Sequence, residues 1–115
     1  MKEERPSNWS LDTAREMLPD VRRRTAEAVA EVEALVPQRD SSQEGTPARA
    51  QLEQRIQQAV SRWIRAMEAL GVEVKGAWLV DFDNGRGYYC WRWPEDRLDY
   101  FHGYDEGFDG RIRIQ

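Results

Sequence analysis

Residues 90–111, CWRWPEDRLDYFHGYDEGFDGR, hold the only Cys and the only His of the chain. Three kinds of chemistry could use them. Cys90 and His102 could form a nucleophile and base, if the thiolate comes within hydrogen-bond reach of the imidazole and a carboxylate such as Asp81, Asp99 or Glu106 orients the ring. His102 could gather nearby acidic groups around a metal ion. The segment could also be a binding face, with Arg92, Glu95, His102, Glu106 and Arg111 meeting a partner or a ligand carboxylate.

Each reading has a plainer rival. A free Cys is usually a small buried filler, and strand parity alone does not put Cys90 and His102 on one face. No pair here has a recognised ligand spacing, so no metal and no cofactor are expected. Asp81-Phe82-Asp83-Asn84-Gly85 departs from the calcium-loop pattern. Gly85-Arg86-Gly87 lacks the third glycine of a dinucleotide fingerprint, since Cys90 stands there and no helix follows. An Arg on a strand is more often held by cross-strand carboxylates, here Asp81 and Asp99 for Arg92, than offered to a ligand. The glycine-punctuated loop from His102 to Arg111 is the best place for function, because such loops need defined backbone geometry and often carry binding residues.

The elements that must position these residues follow from periodicity. Ser10 reads as a helix N-cap before Leu11, Ala14, Met17 and Leu18. Pro19 is awkward inside a helix, so a short helix near 11–17 and a restart are expected. Val21, Ala28, Val32 and Leu35 then recur at helical spacing. Arg22, Arg23 and Arg24 read as a solvated triplet. Residues 37–46, PQRDSSQEGT, read as a polar linker. Thr46 and Pro47 start a further helix, Leu52, Ile56, Ala59, Val60, Trp63, Ile64, Met67 and Leu70 give it an apolar stripe, and Gly71 caps it.

After Gly71 the pattern changes to that of strands. WLVDF (78–82) and YYCWRW (88–93) flank a turn-forming Asp83-Asn84-Gly85-Arg86-Gly87, and RLDYFH (97–102) and RIRI (111–114) follow. Tyr89, Trp91 and Trp93 are expected to face the helices, with Trp78, Val80 and Phe82. Leu98, Tyr100 and His102 share one face of the third strand, expected on the helix side, and Asp81, Cys90, Arg92 and Asp99 are expected on the side away from the helices. The expected fold is α+β and a single domain over 1–115. An antiparallel helical hairpin (8–71, a short helix plus two long ones) packs on a three- to four-stranded antiparallel meander (72–115).

Composition narrows the function. The net charge is −4, and residues 72–115 carry nine acidic against six basic side chains, the wrong sign for a nucleic-acid face. No apolar run approaches a membrane span, and the N-terminus has no signal-peptide core. A lone Cys fits a reducing compartment. A cytoplasmic protein is expected, with a homodimer formed through unused helix stripe and with an unknown protein or small molecule as ligand.

LGVEVK, LVDF, CWRW-PE, FH and GFDGR, in that order, together with SLDTAREMLPDV near the start, resemble an uncharacterised bacterial family, domain of unknown function 2203. Its marked residues fall here on Gly71, Val72, Asp81, Phe82, Cys90, Trp91, Arg92, Glu95, His102, Gly107, Phe108, Gly110 and Arg111. Two departures are Phe101, where the family has Trp, and Pro94-Glu95-Asp96 in place of a Gly-Glu-Pro turn. The resemblance implies the same helix-then-meander fold and no activity. The chemistry points first to a non-enzymatic binding module at 102–111. The alternatives are a small hydrolytic or thiol-redox enzyme using Cys90, His102 and Asp81, and a metal-binding protein at His102.

Overall fold

The computed structural model describes residues 8–115. Ser10 caps the first helix, α1 (Leu11–Asp40): its hydroxyl accepts from the Thr13 N–H, and the Thr13 hydroxyl accepts in return from the Ser10 N–H. The expected break at Pro19 does not occur, because α1 runs on through Pro19 and Pro37. An interior proline forfeits a backbone hydrogen bond at a cost of about 3 kcal/mol. Ala14, Leu18 and Val21, buried on either side of Pro19, offset that cost, which a local reading of the sequence cannot weigh. Among the described residues there are therefore two α-helices and no separate short one before them, with one 3-10 turn at Phe108–Gly110, and the linker shrinks to residues 41–46.

The second helix, α2 (Pro47–Leu70), begins and ends where its signals lie. Thr46 accepts from the Arg49 N–H, Pro47 opens the first turn, and Gly71 closes the helix at φ 91°. A buried polar pair ties the helices together: the Trp63 indole donates to Thr25 Oγ1 at 2.8 Å, and the Thr25 hydroxyl donates in turn to the Val21 carbonyl at 2.7 Å.

Among the described residues the sheet has five strands where three or four were expected: β1 (Glu73–Gly76), β2 (Leu79–Asp83), β3 (Tyr88–Arg92), β4 (Tyr100–His102) and β5 (Ile112–Arg113). It is an antiparallel meander in chain order. The strand not anticipated is β1, four residues long with Val74 its one β-branched side chain. It forms because β2 supplies a partner edge, with Glu73 opposite Asp81 and Val74 opposite Val80. The β2–β3 hairpin turns where anticipated, with the Gly85 N–H on Asp83 Oδ1 and the Arg86 N–H on Asn84 Oδ1.

One face of the sheet packs on the helices. Val80, Phe82 and Trp91 join Leu18, Val21, Trp63 and Met67 in the core. Trp9, just ahead of α1, is tied onto it, its N–H on the Asp83 carbonyl and its indole on the Gly71 carbonyl. Arg22 is no solvated member of its triplet: it donates to the Glu95 carbonyl at 3.1 Å and to Asp96 at 2.9 Å. Arg23 and Arg24 instead pair with Asp20 on their own helix. None of the described helices is long and apolar enough to cross a membrane.

Candidate functional site

The face of the sheet turned from the helices carries the chemistry. Asp81 on β2 lies directly opposite Cys90 on β3, and His102 on β4 lies opposite Tyr88, two residues before Cys90. Antiparallel register with a side-chain period of two brings all three to one face. One donor atom from each lies within 4.8 Å of the others. The expected face is thus correct for Asp81 and Cys90. It is wrong for Tyr100 and His102, which join them, and for Asp99. Asp99 sits before β4 and binds Arg15 at 3.4 Å and Arg113 at 3.6 Å.

The cluster is sealed: Cys90 is 0%, Asp81 2% and His102 3% exposed. His102 Nε2 lies 3.0 Å from Asp81 Oδ2, and His102 Nδ1 lies 2.9 Å from the Gly103 carbonyl. A carbonyl can only accept, so Nδ1 must carry a proton. The proton between Nε2 and Asp81 then belongs either to an imidazolium facing a carboxylate or to a carboxyl facing a neutral ring. Burial pushes the Asp81 carboxyl above its ordinary value, against the pull of His102, the Cys90 thiol and Lys75. The second Asp81 oxygen, Oδ1, is buried without a hydrogen-bond partner among the described residues.

Cys90 lacks what a nucleophile needs. Burial, and then the negative charge of Asp81, push its thiol up to about 12, outweighing the opposite pull of Arg111. Reactive thiols sit in exposed, electropositive places with lowered values. No hydrogen bond joins Cys90 to His102, because both ring nitrogens are already engaged with Asp81 and Gly103.

Two cations flank the cluster, each held by its own acid. Lys75 reaches Asp81 Oδ2 at 3.9 Å and Glu73 at 3.4 Å, and it lies over the Tyr88 ring at 4.1 Å. Arg111 forms a two-pronged pair with Glu95, approaches Cys90 Sγ at 4.0 Å, and lies between the Tyr100 and Phe108 rings. Glu95 also takes the Arg92 N–H, and its carbonyl takes the Trp91 indole N–H. It therefore pins the turn after β3 to the far end of the loop.

The other expected binding residues are distributed differently. Arg92 pairs with neither Asp81 nor Asp99: it is exposed and lies over Phe108 at 5.1 Å, because at the end of β3 it faces Leu79 rather than Asp81. Glu106 accepts the Gly103 N–H at 2.8 Å, bracing the loop from within. Tyr104 reaches Asp83 at 2.6 Å and stacks edge-on against Tyr88. The contributions of Glu73, Lys75 and Tyr88 were not anticipated. The alternation of VEVK after the Gly71 cap was the signal that a strand would place Glu73 and Lys75 on this face.

Asp81, Cys90 and His102 are the residues that could hold a metal ion: one thiol, one imidazole and one carboxylate, converging from three adjacent strands. In comparison with known protein families the chain matches the family described as uncharacterized conserved protein (DUF2203), over residues 7–114. No curated protein and no solved structure matches the chain.

Proposed function

The chain belongs to the DUF2203 family, and on that premise we propose that it is a small binding module with no catalytic step of its own. The observation that carries this reading is where apolar surface is left over. The large hydrophobic side chains left exposed among the described residues are Tyr104, at 47%, and Ile112, at 64%. Both belong to the loop-and-strand segment that Glu95, Glu106 and Asp83 brace. A braced loop presenting aromatic and aliphatic side chains loses little entropy on binding, whereas the nucleophile candidates beneath it are closed off. The protein partner would meet Tyr104 and Ile112, with Arg92 and the acidic Asp105, Glu106 and Asp109 at the rim. The single thiol supports a reducing, cytoplasmic setting.

In-cell photocrosslinking tests this reading, with a photoreactive residue at Tyr104, at Ile112, or at exposed Arg65 on α2. A discrete adduct from the first two positions and none from the third is expected. No adduct, or the same adducts from all three, overturns the reading.

A second reading, self-association, rests on shape. The radius of gyration is 16.5 Å, against about 13 Å for a compact chain of this length. The excess comes from the helical hairpin beyond the sheet, where Val32, Val36, Leu52, Ile56 and Val60 are only partly buried. Packing two such hairpins into a four-helix bundle would cover them. Sedimentation should find a dimer that Ile56→Glu converts to monomer, and a wild-type monomer at every concentration excludes it.

A further inference from the structure

We propose that Asp81, Cys90 and His102 form a binding site for one zinc-class divalent ion. Three donors of the right kinds converge: thiolate and imidazole suit zinc and its neighbours far better than magnesium or calcium, and a carboxylate completes three protein ligands. They come from consecutive strands of a hydrogen-bonded sheet, so the backbone fixes their separation. One ligand atom from each already lies within 4.8 Å of the others, a span that small side-chain rotations can close around an ion bonded at about 2.0–2.3 Å.

Two independent features point to an ion rather than to a core that merely contains polar residues. The first is the outer bond of His102. Its Nδ1–H points at the Gly103 carbonyl at 2.9 Å, which fixes the ring and directs Nε2 into the cluster. Histidines that ligate metals are oriented in this way. The second is Asp81 Oδ1, on a side chain 2% exposed, which meets no well-formed hydrogen bond among the described residues; the Cys90 thiol beside the carboxylate is only a weak donor. A buried carboxylate oxygen left with no more than a weak thiol donor is costly. An ion would satisfy it, either through both oxygens of Asp81 or through a water in the fourth position.

Charge agrees. The Cys90 thiol would lose its proton, as would the pair formed by His102 and Asp81. Thiolate and carboxylate would then cancel the two positive charges of the ion, so binding one ion releases two protons. Lys75 and Arg111 do not oppose this, because Glu73 and Glu95 already balance them. The site lies under the segment proposed to bind a partner, but its argument does not depend on that reading.

The test uses the full chain, stripped with a chelator and titrated with cobalt(II) as a spectroscopic stand-in, then with zinc in competition with a chromogenic chelator. One ion per chain is expected, with a thiolate-to-cobalt charge-transfer band and the intense visible bands of four-coordinate cobalt. Cys90→Ala should remove the charge-transfer band and weaken zinc binding by at least about 10–100-fold, the loss that even an outer partner can cause. His102→Gln should weaken binding comparably, with circular dichroism confirming the fold of each variant. Wild-type protein that is folded but takes up no ion overturns the proposal. So does uptake without a sulfur band, or uptake that Cys90→Ala leaves unchanged.

Discussion

Cys90 in the metal-free protein should react with iodoacetamide far more slowly when folded than when unfolded, and the structure sets the factor. With its thiol pushed up to about 12, about 1 in 10⁵ molecules is ionised at pH 7, against about 3 in 100 for a free thiol near 8.5. That is a deficit of about 3,000-fold. A thiolate of higher basicity is also more nucleophilic, with a Brønsted slope of about 0.4–0.5, which returns about 40-fold. The net chemical penalty is about 100-fold, before any cost of opening a side chain that is 0% exposed. The assay is the alkylation rate by mass spectrometry from pH 5 to 9, native against denatured. The native rate should be at least about 100-fold lower and still rising at pH 9. A native rate within about tenfold of the denatured one, or a plateau below pH 8.5, would refute the sealed-thiol argument and restore the enzyme reading.

The same thiol predicts a pH dependence of metal-free stability. A group whose value is raised on folding keeps its proton in the folded state and loses it in the unfolded one. Stability should therefore fall as pH rises from the free-thiol value, about 8.5, towards about 12, by up to about 1.4 kcal/mol per pH unit. Tyr104, pushed up to about 12 by its bond to Asp83, titrates in the same window, so the Cys90 part is the difference in urea melts between wild type and Cys90→Ala. Thr25→Val strands the buried Trp63 N–H and should cost about 1–3 kcal/mol in urea unfolding, whereas an unchanged midpoint would mean that the indole finds another acceptor. Gly87→Ala would bring a methyl group to 2.6 Å from the His102 carbonyl and 2.8 Å from the Phe101 ring. It should destabilise the protein by about 1–3 kcal/mol or more and broaden the His102 ring signals in NMR spectra. Sharp, unshifted signals would show that β3 and β4 separate without cost.

Much of this protein is written in local pattern. Helix ends depend on groups within a few residues, so Ser10, Thr46, Pro47 and Gly71 mark them and the structure uses each one. The apolar stripe of α2 and the turn at 83–87 are equally local, and the family resemblance extends over the chain. Pro19 and β1 were misjudged because their outcome depends on distant partners: burial of Ala14, Leu18 and Val21 in one case, the edge of β2 in the other.

The site divides in the same way. Asp81, Cys90 and His102 stand out as residue types, and the loop at 102–111 stands out by its glycines. Whether Cys90 meets His102 or Arg111, and whether Arg92 meets Asp81 or Phe108, depends on register. Register is a long-range property, because shifting one strand by a single residue turns every side chain to the other face. Only the paired sheet decides that Asp81 lies opposite Cys90, that His102 joins them, and that Arg92 is one step too far along β3 to do so.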